Sequence, residues 1–163
     1  MEIVANGTPE DFDEIFIVTN YVRYDLRKLL ISSMYFEESH IKQIVYNLIC
    51  AMQHIHSAGI LHRDIKPANI LIGDDCEVIV CDFGISRGIG SYQEEEKGGD
   101  RRPLSPHVVT RWYRAPELIL GDKYYSQGVD TWSIGCVIAE IATMDAGNVP
   151  DYTERAPLFP GTS

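Results

Sequence analysis

The chain has 163 residues, 45% hydrophobic and 23% charged, which is enough apolar material for one sizeable core and too much for a disordered polymer. Its formal net charge of −10 argues against a nucleic-acid surface, which needs a basic face. Four cysteines without a C-x-x-C pair, early acids at Glu2, Glu10 and Asp11, and no apolar run of spanning length argue against a disulfide scaffold, a signal peptide and a membrane span, so a soluble protein of cytoplasm or nucleus is expected.

In chain order, residues 14–19 are rich in β-branched and aromatic side chains and predict a buried strand, with Ile3-Val4 as partner through the turn-rich Asn6-Gly7-Thr8-Pro9. Ile41, Ile44, Val45, Leu48, Ile49, Met52 and Ile55 fall three and four apart and predict one apolar helical face over Glu38–Ser57. Glu37 and Glu38 suit the positive helix start, and Gly59 suits its stop. A polar loop, His62 to Asn69, follows. The runs Ile70-Leu71-Ile72 and Val78-Ile79-Val80, parted by Gly73-Asp74-Asp75, predict a hairpin.

Residues 85–109 are turn-rich and charged, without periodicity, as in functional or disordered loops. A second helix is predicted from Gln127 to Thr143, with Val129, Trp132, Cys136, Val137, Ala139 and Ile141 apolar. Cys50 and Cys136 read as small core residues inside the two helices. Residues 144–163 carry Pro150, Pro157 and Pro160 and read as irregular. Neither repeats nor a linker between two cores are visible.

The string His62-Arg63-Asp64-Ile65-Lys66-Pro67-Ala68-Asn69, then Asp82-Phe83-Gly84, then Ala115-Pro116-Glu117, resembles the protein kinase family in order and spacing. An isolated H-x-D would mean little, because loops carry it by chance. The set together with Thr110-Arg111-Trp112-Tyr113-Arg114-Ala115-Pro116-Glu117 is specific. The resemblance implies an α+β, protein kinase-like fold cut short at both ends: mainly the helical large lobe (29–163), with the end of the small lobe (1–19) and the hinge (20–28). Residues 82–117 would be the activation segment.

It also implies roles. Asp64 would accept or orient the substrate hydroxyl proton, and Lys66 would reach the transferring phosphate as a point charge. Asn69 and Asp82 would be oxygen ligands for Mg²⁺. Placed at the two feet of one hairpin, they would stand at the same end. Thr110 matches the partner of Asp64 and Lys66; with Lys66 it indicates Ser/Thr rather than tyrosine kinases. For ATP, the resemblance assigns Thr19 behind the adenine, Asn20, Tyr21 and Val22 along its edge, Asp25 to the ribose with Lys28 one turn on, and Leu71 beneath the ring. Taken singly, Thr19 and Leu71 also read as ordinary core residues. Asp130 resembles a buried aspartate bracing the His62–Arg63 backbone, and equally suits a helix start. His62 reads as a packed, hydrogen-bonded histidine.

Cys81, Arg111 to Arg114, Tyr124-Tyr125-Ser126 and Pro157-Leu158-Phe159-Pro160-Gly161 are similar to the branch holding MAP kinases and cyclin-dependent kinases. Cys76, Asp25-Leu26-Arg27-Lys28 and Arg111 favour MAP kinases. The departure is Ser105-Pro106-His107, where MAP kinases carry Thr-x-Tyr. Ser105 can accept phosphate and would pair with Arg63 and Arg87, whereas His107 cannot replace the tyrosine; Ser105-Pro106 also reads as a simple turn. The branch resemblance implies a protein substrate, with proline after the accepting residue, and an upstream activating kinase.

No Gly-x-Gly-x-x-Gly and no Val-Ala-x-Lys strand precedes residue 14, and the arginine that would pair with Glu117 is not in view. Two expectations therefore stand: an ATP-dependent Ser/Thr kinase represented by a piece, and a non-catalytic binding or decoy module.

Overall fold

The protein is described from a computed structural model, in residues 2–8, 11–88, 111–121 and 126–161. Two antiparallel strands, β1 (Glu2–Thr8) and β2 (Asp11–Val18), open the chain, with Ile3 opposite Ile17 and Thr8 opposite Asp11. Both strands run longer than the sequence indicates, and β2 ends at Val18. Phe16, Ile17 and Val18 are exposed rather than buried as the sequence predicts, because among the described residues the two strands pair only with each other. The register shifts between Ala5 and Gly7.

The core gathers on α2 (Glu38–Ser57), whose bounds are those the periodicity predicts. Ile44, Leu48, Met52 and Ile55 are buried, and Ile41 and Val45 pack at the edge. Ile49, placed on that face from sequence, is 49% exposed, and Cys50 is exposed rather than a core residue. A turn of 3.6 residues carries positions 49 and 50 away from the 44–48–52–55 stripe toward solvent. The Glu37 N–H donates to His40 Nδ1 at the helix start. Gly59, at φ +71°, ends the helix in the left-handed region that costs other residues more.

A short helix with no periodicity to predict it, α1 (Leu26–Leu30), lies against the 3₁₀ turn Pro67–Asn69 and the strand Ile70–Ile72 and shares the core cluster with α2. Five residues are too few for an isolated helix. Leu26, Leu29 and Leu30 are all buried, at roughly 1.5–3 kcal/mol per side chain, and that packing holds the turn. Asp25 caps it, accepting the Lys28 N–H at 2.8 Å. The second long helix, designated α4 (Gly128–Ala142), adds Cys136, Val137 and Ile141 to the core, while Trp132 is 38% exposed. A single turn, α3 (Pro116–Ile119), precedes it.

The remaining strands are short and position the site. The predicted hairpin is present as β5 (Ile70–Ile72) and β6 (Val78–Val80), with Ile70 opposite Val80. β3 (Tyr24–Asp25) joins its outer side, with Asp25 opposite Leu71. β4 (Ile60–Leu61) pairs with β7 (Arg87–Gly88), placing Leu61 opposite Arg87. Among the described residues no helix is long and apolar enough to cross a membrane.

Candidate active site

The polar loop after β4 is held by one buried carboxylate. Asp130, in the first turn of α4, is fully buried; its Oδ2 accepts the His62 N–H at 2.9 Å and its Oδ1 accepts the Arg63 N–H at 2.7 Å. His56 Nε2, on the last turn of α2, lies 2.8 Å from Oδ2. These bonds sit where Arg63 takes φ +70°, a conformation that costs a non-glycine residue about 1–2 kcal/mol. Charge-assisted bonds of this kind are strong enough to hold it.

His62 is buried and locked at both ring nitrogens. The Asp64 N–H points at Nδ1 (3.3 Å), so Nε2 carries the proton and donates to the Cys81 carbonyl at 3.0 Å. Its ring meets Phe83 edge-on, at 4.8 Å between centroids. The histidine thus ties the loop to residues 81–83 and offers no free nitrogen to a reacting group. The reading of His62 as a packed histidine matches this geometry.

Asp64, Lys66 and Asn69 form one bonded cluster. Lys66 Nζ lies 2.7 Å from Asp64 Oδ2. Asn69 Nδ2 donates to Asp64 O at 2.9 Å and to Asp64 Oδ2 at 3.0 Å. Pro67 opens the 3₁₀ turn Pro67–Asn69 that aims the amide back at Asp64. With Oδ2 engaged twice, Asp64 keeps Oδ1 for an incoming donor. With Nδ2 spent on Asp64, Asn69 keeps Oδ1 as an acceptor.

Asp82 reaches the same end of the hairpin. The Asn69 carbonyl accepts the Cys81 N–H at 3.0 Å, so Asp82 follows the residue bonded to Asn69. Asp82 is exposed, at φ +66°, and its Oδ1 accepts the Gly84 N–H at 3.4 Å. A hard divalent cation suits one carboxylate and one amide oxygen completed by phosphate oxygens and water, and Asn69 and Asp82 supply that donor pair.

Asp25 and Leu71 are neighbours across β3 and β5, and Lys28 Nζ lies 3.1 Å from Asp25 Oδ2. Burial pushes the pKa of the Cys81 thiol up, and the charges of Asp82 and then Asp25 add to the rise. Thr19 to Val22 form the irregular connection from β2 to β3, with Thr19 and Asn20 exposed and Tyr21 87% exposed. Arg63 is buried, and Arg87 lies opposite Leu61 on the adjoining strand, which brings the two arginine segments side by side. Glu117 stands half-exposed in the first turn of α3. Ser105 and Thr110 lie outside the described residues, as do His107 and most of the 82–117 segment.

Several contacts have no sequence signal. His56 joins Asp130 from 74 positions away. Ser86 Oγ donates to the His62 carbonyl at 3.2 Å, fastening the chain beyond Gly84 onto the loop. Ser133 Oγ lies 2.6 Å from the Tyr113 carbonyl, tying α4 to the 3₁₀ turn Arg111–Tyr113. Only the fold brings these pairs together.

Residues 3–150 match the family described as Protein kinase domain. Among relatives, mitogen-activated protein kinase spm1 of Schizosaccharomyces pombe is 39% identical over 133 residues, covering 82% of this chain and 31% of the relative. Mitogen-activated protein kinase p38a of Drosophila melanogaster is 39% identical over 158 residues, covering 97% of this chain and 37% of the relative. The chain spans about a third of the length of these curated relatives.

Proposed function

We propose that this chain, which belongs to the protein kinase family and is MAP kinase-like, forms the catalytic part of an ATP-dependent kinase for protein Ser and Thr hydroxyls. The observation that carries the reading is the convergence of Asp64, Lys66 and Asn69 in one bonded cluster, with Asp82 joined to it through Cys81. Phosphoryl transfer asks for that set: positioning, charge neutralisation and a proton acceptor, with little covalent chemistry.

Asp64 takes the hydroxyl proton at Oδ1 as the hydroxyl oxygen bonds to the terminal phosphorus of ATP and ADP departs. Lys66, 2.7 Å from Asp64, balances its charge and faces the phosphate being transferred. Asn69 Oδ1 and the Asp82 carboxylate hold Mg²⁺, which neutralises the phosphate oxygens when bound. Asp25, Lys28 and Leu71 serve the nucleoside end, Asp25 and Leu71 as partners across one strand pair. Thr19, at the end of a small lobe, stands behind the adenine, and Asn20 to Val22, in the hinge (20–28) leading to a large lobe, meet its edge. Thr110 supports Asp64 and Lys66. Phosphate on Ser105 orders the activation segment against Arg63 and Arg87, supplied by an upstream kinase. Glu117 and Asp130 are structural. The substrates are proteins, with proline after the accepting residue, in cytoplasm or nucleus.

The test is phosphate transfer from ATP–Mg²⁺ to Ser-Pro peptides by the protein in its full-length form. Asp64→Asn is expected to lower kcat at least about 100-fold, the contribution of a positioned base, and Asp82→Asn to weaken Mg²⁺-dependent nucleotide binding. An Asp64→Asn protein as active as wild type would overturn the reading. Nucleotide binding without transfer would favour the non-catalytic module.

A further inference from the structure

Asp82 sits on a turn that its own packing does little to hold. Asp82, Phe83 and Gly84 are all exposed, and Asp82 takes φ +66°, a conformation that costs a residue with a side chain free energy. The buried His62 grips residues 81–86 at three points. Its Nε2 donates to the Cys81 carbonyl at 3.0 Å, its ring meets that of Phe83 at 4.8 Å, and its carbonyl accepts the Ser86 hydroxyl at 3.2 Å. The first two lie at or before Phe83; the Ser86 hydroxyl fastens the far side of the turn. His62 is itself anchored, because Asp130 Oδ2 accepts its N–H at 2.9 Å.

Ser86 closes the turn with both of its donors. Its N–H donates to the Phe83 carbonyl at 3.1 Å, shutting a four-residue turn, and its hydroxyl reaches across to His62. The strand pair β4–β7 sets Ile60 opposite Gly88 and Leu61 opposite Arg87, so the same register brings Ser86 opposite His62. The hydroxyl bond carries that pairing up to the turn. Inside it, the Asp82 carboxylate lies against backbone: Oδ1 accepts the Gly84 N–H at 3.4 Å and stands 3.2 Å from where a Cβ on Gly84 would be. The shape of the turn thus sets the place of the carboxylate, and its two ends set the shape.

We propose that Ser86 is a positioning residue for Asp82: its hydroxyl latches the far side of the turn to His62 and holds the carboxylate where a divalent cation shared with Asn69 meets it. The latch stands on this geometry; that the cation is the Mg²⁺ of bound ATP rests on the kinase reading. Without the hydroxyl, the carbonyl of a fully buried residue loses a donor, and Asp82 is free to leave its positive φ.

Two measurements separate the latch from that reading. The first needs neither metal nor nucleotide. Hydrogen–deuterium exchange of the full-length protein, read by mass spectrometry over residues 81–86, follows the amides of Gly84 and Ser86, both bonded within the turn. Ser86→Ala should speed their exchange about fivefold, the worth of one neutral hydrogen bond. Ser86→Thr, which keeps a hydroxyl, should restore the wild-type rate. Ser86→Val, of threonine's shape without the hydroxyl, should exchange as alanine does. A rate unchanged in Ser86→Ala, or equal in the threonine and valine variants, overturns the latch.

The second reads the metal, by calorimetric titration with a non-hydrolysable ATP analogue in saturating Mg²⁺ and in EDTA. Wild type is expected to bind more tightly with Mg²⁺. Ser86→Ala should lose about two- to fivefold of that advantage with its metal-free affinity unchanged, and Ser86→Thr should regain it. An equal loss with and without metal makes Ser86 a general prop of the fold and overturns its role toward Asp82, as does an advantage that Ser86→Ala leaves intact. Wild type indifferent to Mg²⁺ instead overturns the kinase reading, and with it the metal as the purpose of the latch, whatever the exchange rates show.

Discussion

The carboxylate of Asp130 holds the backbone N–H groups of His62 and Arg63 at 2.9 and 2.7 Å, across 68 and 67 residues of sequence. It is thus the joint between α4 and the loop that presents Asp64. Replacing it with alanine strands two buried N–H donors and releases the positive φ of Arg63. Because each bond to a charged acceptor is worth about 1.5–3 kcal/mol, Asp130→Ala should lower unfolding free energy by at least about 3 kcal/mol in urea titration. A midpoint equal to wild type would mean that the loop is held by other contacts.

Gly59 gives a smaller, cleaner effect. Nothing stands within 4 Å of where its Cβ would be, so only the backbone at φ +71° resists a side chain. Gly59→Ala should cost about 1 kcal/mol, and Gly59→Asn less, because asparagine tolerates the left-handed region. Equal costs for the two would place the penalty somewhere other than the backbone.

The extent to which sequence reveals this chain follows from how local each feature is. α2 is legible to its ends because 20 residues repeat one spacing, and the hairpin because two apolar runs flank a turn. α1 escapes because five residues give no period, and its stability comes from burial of its leucines in the common core. Ile49 and Cys50 mislead because apolar character alone does not mark the edge of a buried stripe. In the site, Asp64, Lys66 and Asn69 lie within six positions, and their bonding follows from one tight turn. His56 on Asp130, and Tyr113 on Glu140, join segments that no spacing relates.

Cys81 donates its N–H to the Asn69 carbonyl and directly precedes Asp82, and its thiol pKa is pushed up by burial first, then by Asp82 and Asp25. Less thiolate is present at a given pH, so alkylation by iodoacetamide should be slow compared with the exposed Cys50. Asp82→Asn removes one opposing charge and should speed modification of Cys81, with burial retaining the larger share of the protection. Mass spectrometry of the alkylated peptide reads both rates; a Cys81 rate indifferent to Asp82→Asn would separate the two groups electrostatically.

Glu140 makes stability depend on pH in a stated direction. Its folded pKa lies above the ordinary 4.5 because burial favours the protonated form, with Tyr113 opposing. Between 4.5 and the folded value, the folded chain keeps a proton that the unfolded chain has lost. Its contribution is therefore full below about pH 4.5 and declines as pH rises through the folded pKa. Glu140→Gln carries no such proton. It should show a flatter unfolding free energy over this window and match or exceed wild type at pH 7. An unchanged slope would mean that the carboxylate loses nothing on burial.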